Sequence, residues 1–98
     1  MTNAKMEFLL ETAGKEVKCA TVRHYSRGEP NLKVGYSEID LALFLNSLDY
    51  IYDSGWGGQE LYGTIWYKDG TWSDRGEYDG SEWWNYNSVP DIPTNLLK

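Results

Sequence analysis

The chain has little of the material from which small proteins build cross-links or metal sites, since its 98 residues include one cysteine and one histidine. The single Cys19 excludes an internal disulfide, and no metal-ligand spacing surrounds it. Together with the lone His24, this predicts a reducing compartment and argues against a structural zinc site. Cys19 lies in an alternating segment, so we interpret it as a half-buried strand residue rather than a reactive thiol.

Long apolar runs are also missing. No segment approaches the roughly 20 apolar residues that span a bilayer. The N-terminal segment lacks the apolar stretch and the small-residue cleavage site of a signal peptide, and Glu7 and Glu11 flank its Leu9-Leu10 pair. We therefore predict a soluble protein of one domain, residues 1–98, without membrane association and located in the cytoplasm.

Lysine and arginine are scarce, with 9 against 15 acidic residues and a net charge of −6. The imbalance lies after residue 33, where eleven acids face only Lys68, Arg75 and Lys98. Direct binding to nucleic acid is disfavoured, because phosphate contacts need clustered cations. A partner protein with a basic surface is the expected complement, although the same charge also serves solubility alone.

Motifs for catalysis are absent as well. The glycine-rich GWGGQ lacks the lysine of a phosphate-binding loop, no serine or cysteine has a recognisable base, and no EF-hand spacing is present. We interpret the acids near the hairpin turns as solvated turn residues rather than as a carboxylate pair for glycoside chemistry. We predict no enzyme activity, no catalytic residue, no metal and no cofactor.

The segment from Glu60 to Pro93 is the most informative part of what is present. It reads ELYGTIWYKDGTWSDRGEYDGSEWWNYNSVPDIP and holds four of the five tryptophans and two Asp-Gly dipeptides. Asp-Gly between apolar runs is typical of a two-residue type I′ hairpin turn, which needs positive φ at both positions. The segment therefore predicts a three-stranded antiparallel meander.

One helix is predicted, beginning at Ser37, with Asp40 completing a capping box. Its apolar stripe is wider than one sheet requires, so it is either covered on two sides or meets a partner, and we favour the first. Further strands are predicted at Met6–Glu11 and Lys15–Tyr25, forming an opening hairpin, and at Leu32–Tyr36 and Leu48–Asp53. The fold class is α+β, a mostly antiparallel sheet packed against one α-helix.

Two-residue turns at both Asp-Gly dipeptides set a register that divides the meander into two faces. The predicted core face carries Leu61, Gly63, Ile65, Tyr67, Trp72, Gly76, Tyr78 and Trp83. On the other face Arg75 lies beside Trp84 as a cation–π pair, and Glu77 faces Glu82.

We predict that this second face binds a partner, because Tyr, Trp and Arg are the usual anchors of protein interfaces; the alternative is a second, covered core layer. The candidate binding residues are Tyr62, Trp66, Arg75, Glu77, Glu82, Trp84 and Tyr86, with Asp69, Asp74 and Asp79 adding charge complementarity. Trp56, between glycines, is either a plug in the core or an aromatic finger for a partner, and we favour the plug.

The run GTIWYKDGTWSDRGEYDGSEWW, with its flanking residues Gly57–Pro93, resembles a family of small, acidic, tryptophan-rich proteins encoded by bacteriophages and prophages and labelled hypothetical. The likeness extends over about residues 34–98, and the N-terminal third matches loosely. The resemblance implies a phage origin and action inside an infected or lysogenic bacterium. It carries over no catalytic residue.

Three functions follow as hypotheses. The first is a non-enzymatic protein that binds and inhibits or modulates a host protein, for example a counter-defence factor of the anti-CRISPR kind. The second is a binding module in which Trp and Tyr rings hold a sugar or nucleotide. The third is a structural or virion accessory role, with the chain a monomer or a small homo-oligomer.

Overall fold

The computed structural model describes residues 1–55 and 57–97. Within them the chain has the expected α+β fold, with two helices, a five-stranded antiparallel sheet and a separate pair of short strands. The helices are α1 (Ala4–Thr12) and α2 (Glu38–Ser47), and a 3-10 turn follows at Thr94–Leu96. The strands are β1 (Thr2–Asn3), β2 (Val17–His24), β3 (Asn31–Leu32), β4 (Ile51–Tyr52), β5 (Leu61–Tyr67), β6 (Trp72–Tyr78) and β7 (Ser81–Asn87).

The main sheet has the strand order β3-β2-β5-β6-β7, and β1 pairs with β4 beside it. The predicted meander is confirmed as β5-β6-β7. Strand β2 lies within the predicted segment 15–25 and pairs with β5 along its length, with an irregularity between Val17 and Cys19. The strand predicted at residues 32–36 is shorter than expected, since only Asn31 and Leu32 pair with β2.

The prediction of a first hairpin strand at Met6–Glu11 is wrong, because residues 4–12 form helix α1. Asn3 caps this helix, as its side chain accepts a hydrogen bond from the Met6 amide at 3.0 Å. Ala4 and Phe8, four residues apart, are the buried side chains of the helix. This short helix is stabilised by its cap and by its packing on the sheet. The apolar pattern of nine residues does not reveal either contribution.

The predicted start of helix α2 is confirmed. The Ser37 hydroxyl accepts from the Asp40 amide at 3.1 Å, and the Asp40 carboxylate accepts from the Ser37 amide at 3.0 Å. The expectation that the helix is covered on two sides is wrong. Phe44 is buried, but Ile39 and Leu43 on the other side remain 72% and 63% exposed.

The first hairpin of the meander has a different register from the predicted one. Thr64 is paired with Asp74 and Trp66 with Trp72, one residue away from the expected pairing. Because side chains alternate along a strand, this one-residue shift moves every side chain of β6 to the opposite face relative to β5.

A three-residue loop in place of the two-residue turn causes this shift. The Tyr67 amide donates to the Thr71 carbonyl at 2.9 Å, which closes the loop over residues 68–70. Gly70 has positive φ (88°) and Asp69 does not, the pattern of a type I turn followed by a left-handed glycine. The Asp69 carboxylate accepts from the Thr71 hydroxyl and amide, and these bonds hold the pKa of Asp69 below its usual value.

The second hairpin follows the prediction. Asp79 and Gly80 both have positive φ, 52° and 87°, as a type I′ turn requires. The predicted pairs are all present: Ser73 with Tyr86, Arg75 with Trp84, Gly76 with Trp83, and Glu77 with Glu82.

Both helices pack on one side of the main sheet, which we call the inner face. Their buried residues form one cluster with inward side chains of β2, β5 and β7, including Val22, Leu61, Ile65, Tyr67 and Trp84. Phe8 links the layers, since its ring centroid lies 5.3 Å from that of Phe44 and 6.4 Å from that of Trp84. In the described part of the chain, no helix is long and apolar enough to cross a membrane.

Candidate binding surface

The opposite side of the sheet, which we call the open face, carries the candidate site. Strand alternation and the observed register assign its residues. They are Cys19, Thr21 and Arg23 of β2, Tyr62, Thr64 and Trp66 of β5, Trp72, Asp74, Gly76 and Tyr78 of β6, and Ser81, Trp83, Asn85 and Asn87 of β7.

Aromatic rings at both ends of the open face are accessible to a partner. Trp66 is 42% exposed, Trp83 38% and Tyr62 36%. Trp72 lies directly opposite Trp66 on the neighbouring strand and is half-buried. Large aromatic side chains this exposed are the surface groups that gain most from being covered by a partner.

Polar side chains form a row between these aromatic residues. Thr21, Thr64, Asp74 and Asn85 are successive partners across four strands. At the usual spacing of about 4.8 Å between strands, the row is about 14 Å long. It supplies hydrogen-bonding groups between Trp66 and Trp72 on one side and Trp83 on the other.

Two glycines set the shape of the open face. A Cβ at Gly76 would lie 2.5 Å from the Asn85 amide nitrogen and 2.9 Å from the Trp83 indole nitrogen, so both side chains lie across this bare backbone. The sequence predicted this Trp83–Gly76 contact, but on the core face. A Cβ at Gly63 would lie 2.3 Å from the carbonyl oxygen of Thr21, so only glycine permits this close approach of β5 to β2.

One arginine already uses an aromatic ring of the open face. The Arg23 guanidinium carbon lies 4.4 Å from the Tyr62 ring centroid, and its Nε lies 3.7 Å from a carboxylate oxygen of Glu29. The same cation therefore contacts a ring and a carboxylate. Such cation–π contacts contribute about 0.5–1 kcal/mol at exposed positions.

Three of the predicted binding residues lie on the inner face instead, because of the register shift of β6. Arg75, Glu82 and Trp84 are interior, and the side chains of Arg75 and Glu82 are 1% and 0% exposed. The Arg75 guanidinium lies 5.0 Å from the Trp84 ring centroid, so the predicted cation–π pair exists but is buried. An exposed anchoring role for these three residues is wrong.

The buried arginine is neutralised from two elements. Arg75 Nη1 lies 3.1 Å from Glu7 of α1, and its Nη2 lies 3.4 Å from Glu82 of β7 and donates to the Tyr52 hydroxyl at 2.7 Å. Glu82 also accepts from the amides of residues 60 and 61 at 2.7 and 2.9 Å. Burial and the hydrogen bond to Glu7 raise the pKa of Tyr52, so this phenol stays protonated.

A neighbouring polar chain crosses the same layer. The Ser73 hydroxyl donates to Glu11 of α1 at 2.6 Å and lies 2.7 Å from the Tyr67 hydroxyl. Burial raises the pKa of Tyr67. Glu7 and Glu11 lie one helical turn apart and contact Arg75 and Ser73 of β6, so they attach α1 to that strand.

The remaining predicted residues are dispersed. Tyr62, Trp66 and Asp74 belong to the open face. Glu77 and Tyr86 are on the inner side by strand alternation, but both are exposed, Tyr86 by 49%. Asp69 and Asp79 lie in the two hairpin turns, at opposite ends of the meander. The predicted role of Trp56 concerns a residue outside the described ranges.

Trp72, Tyr78 and Trp83 are predicted on the core face but lie on the open face, and the contribution of Thr21 and Arg23 from β2 was not predicted. The sequence Asp69-Gly70-Thr71 also fits a type I turn followed by a left-handed glycine. The resulting three-residue loop at Lys68–Gly70 would have placed Trp72 and Trp83 on the open face. The pairing of β2 with β5 joins residues about 40 positions apart, and no local pattern encodes that distance.

In residues 1–55 and 57–97, no group of three His, Cys, Asp or Glu side chains is placed to hold a metal ion. The open face instead offers aromatic rings, amides, hydroxyls and one central carboxylate, which are groups for recognition. Comparison with known proteins gave no matching family model, no matching curated protein and no matching solved structure.

Proposed function

We propose that this chain is a non-enzymatic binding protein that attaches through its open face to a host protein and inhibits or modulates it. The observation that carries the proposal is the set of exposed rings on one sheet face, Trp66, Trp83, Tyr62 and Tyr78. Tryptophan and tyrosine dominate the energetics of protein interfaces, where a few such anchors supply most of the affinity.

The charge of the chain indicates the character of the partner. The net charge is −6, and the only arginine of the meander is neutralised inside the protein by Glu7 and Glu82. The surface acids Asp69, Glu77 and Asp79 therefore have few cations of the meander beside them. A partner with a basic surface, such as the nucleic-acid channel of a host nuclease, complements this distribution and associates faster with it.

In this proposal the chain has the phage or prophage origin that the resemblance implies, and it meets its partner in the cytoplasm of an infected or lysogenic bacterium. A counter-defence factor of the anti-CRISPR kind fits both that origin and an acidic, aromatic surface. Direct nucleic-acid binding and membrane association are not part of the proposal, and the chain acts as a monomer or a small homo-oligomer.

The environment of the lone histidine supports a role without catalysis. His24 is 6% exposed, its Nδ1 accepts from the Ser26 amide at 3.1 Å, and its Nε2 lies 3.0 Å from a Glu60 oxygen. Since Nδ1 accepts, the proton lies on Nε2 and is donated to Glu60. Both ring nitrogens are thereby engaged, and the ring serves the structure rather than a substrate.

A second candidate function is supported by the polar row of the open face. Thr21, Thr64, Asp74 and Asn85 between aromatic side chains are the groups that hold a sugar or nucleotide ring in many small-ligand sites. A change of tryptophan fluorescence on titration with a panel of glycans and nucleotides tests this alternative, and a flat response excludes it for that panel.

Affinity capture of the tagged protein from a susceptible bacterial lysate, at low and high salt with mass spectrometry, tests the main proposal. We expect one basic protein that is retained at low salt and depleted at high salt. Trp66→Ala should lose this protein, whereas Tyr25→Ala, which removes an exposed aromatic ring outside the open face, should retain it. Equal recovery by both variants would contradict the proposed surface.

A further inference from the structure

Asp74 is the central acidic residue of the open face. It pairs with Thr64 on one side and Asn85 on the other. Its Oδ1 accepts a hydrogen bond from the Asn87 amide group at 3.1 Å. Among the described residues it has no ion-pair partner, whereas Glu7, Glu29 and Glu82 each lie beside an arginine.

Two tryptophans lie within side-chain reach of Asp74. Trp72 is two residues earlier on the same strand and therefore on the same face. Trp66 is the diagonal neighbour across the ladder, at a typical Cα separation of about 7–8 Å. A planar cation placed between them can stack on one ring while its edge hydrogen-bonds to the carboxylate.

The chain contains this arrangement twice with an arginine of its own. Arg23 stacks on Tyr62 at 4.4 Å and pairs with Glu29 at 3.7 Å. In the interior, Arg75 lies 5.0 Å from the Trp84 ring centroid and pairs with Glu82 at 3.4 Å. The set of Trp66, Trp72 and Asp74 repeats the same chemistry on the open face.

We propose that the open face recognises an arginine-bearing segment of its protein partner, with one guanidinium between Trp66, Trp72 and Asp74. Arginine is specified over lysine because its flat, weakly hydrated guanidinium stacks on a ring while its in-plane N–H groups bond to a carboxylate. This inference rests on the proposed function, since it names the chemistry of the partner at the same surface.

Two peptides of equal length and charge test the inference directly, one with three arginines and the other with three lysines at the same positions. They are titrated into the protein at low salt while the indole N–H signals are followed by NMR. We expect the arginine peptide to bind about threefold to tenfold more tightly, as stacking of one or two rings implies. Equal affinities, or no binding of the arginine peptide, overturn the inference.

Variants separate stacking from simple charge attraction. Trp66→Ala should abolish the preference for arginine and leave the weak attraction common to both peptides. Asp74→Asn should weaken the arginine peptide severalfold, whereas the matched Asp91→Asn, which removes an exposed acid from the C-terminal tail, should leave its affinity unchanged. Far-ultraviolet circular dichroism verifies that each variant is folded. Equal weakening by the two Asp→Asn variants would show that only net charge matters.

The two proposals fail separately. If lysate capture yields a partner that depends on Trp66 but the peptides show no arginine preference, the binding function stands and the arginine inference falls. If the peptides show the preference and no partner is captured, the recognition chemistry stands and the proposed function falls.

Discussion

Replacement of Arg75 by alanine should strongly destabilise the protein. The change leaves the carboxylate of Glu82, which is fully buried, and that of Glu7, 20% exposed, without their cation. Removing one partner of a buried ion pair costs about 3–5 kcal/mol. Domains of this size have a total unfolding free energy of about 5–15 kcal/mol, so the variant should be partly unfolded or close to it.

Urea denaturation followed by tryptophan fluorescence measures this loss. Lys68→Ala, which removes an exposed cation from the neighbouring hairpin loop, is the matched control and should change the unfolding free energy by no more than about 0.5 kcal/mol. Adding Glu7→Gln to Arg75→Ala should recover about 1 kcal/mol or more relative to the sum of the single changes, because the stranded charge is then removed.

A cost of Arg75→Ala equal to that of Lys68→Ala would refute the reasoning. It would mean that Arg75 is solvated and not buried beside Glu7 and Glu82. The register of β6, and with it the assignment of residues to the open face, would then be wrong.

Three further predictions concern burial and close packing in the fold. Trp84→Ala should cost about 3–5 kcal/mol of unfolding free energy and Trp66→Ala about 1 kcal/mol or less, measured by the same denaturation; equal costs would contradict their different burial. Gly63→Ala should cost about 2 kcal/mol or more, because its Cβ would meet the Thr21 carbonyl oxygen at 2.3 Å; an unchanged melting temperature would show that the strands separate easily. Burial in the folded state raises the pKa values of Tyr50, Tyr52 and Tyr67 and so favours their protonated forms. The same tyrosines ionise at lower pH in the unfolded chain, so Tm should fall as pH rises above about 10. A Tm that stays constant up to a pH of about 11 would contradict this.

The features that could be predicted from the sequence are those decided by nearby residues. Ser37 and Asp40 are three positions apart and define the start of α2 by their own hydrogen bonds. Asp79-Gly80 satisfies the positive φ values of a type I′ turn without help from the rest of the chain. The α+β class and the meander follow from such local rules.

The features that could not be predicted depend on competition between similar local structures or on distant contacts. Asp69-Gly70 has the same letters as Asp79-Gly80, but Thr71 bonds back to the Asp69 carboxylate and a three-residue loop forms. The additional loop residue reverses the faces of β6 relative to the predicted register, so that Arg75 lies on the inner face and Trp72 on the open face. Helix α1 is attached to the sheet in part by the ion pair between Glu7 and Arg75, which are 68 positions apart in the chain.

The same exchange changed the candidate site more than the fold. Turning the other face of β6 toward the helices would leave the strand order unchanged. A binding surface, by contrast, is defined by individual side chains. Tyr62 and Trp66 could be predicted because they lie on β5, whose inner residues Leu61 and Ile65 are clearly apolar. Trp72 and Trp83 could not, since their faces depend on the first loop.

Oxidative footprinting of the tryptophans, with and without the captured partner, tests most directly the claim that the open face is the binding surface. We expect Trp66 and Trp83 to be oxidised quickly in the free protein and Trp84 slowly, and we expect the partner to protect Trp66 and Trp83. Rapid oxidation of Trp84 in the free protein, or oxidation of Trp66 and Trp83 that the partner leaves unchanged, would contradict this claim.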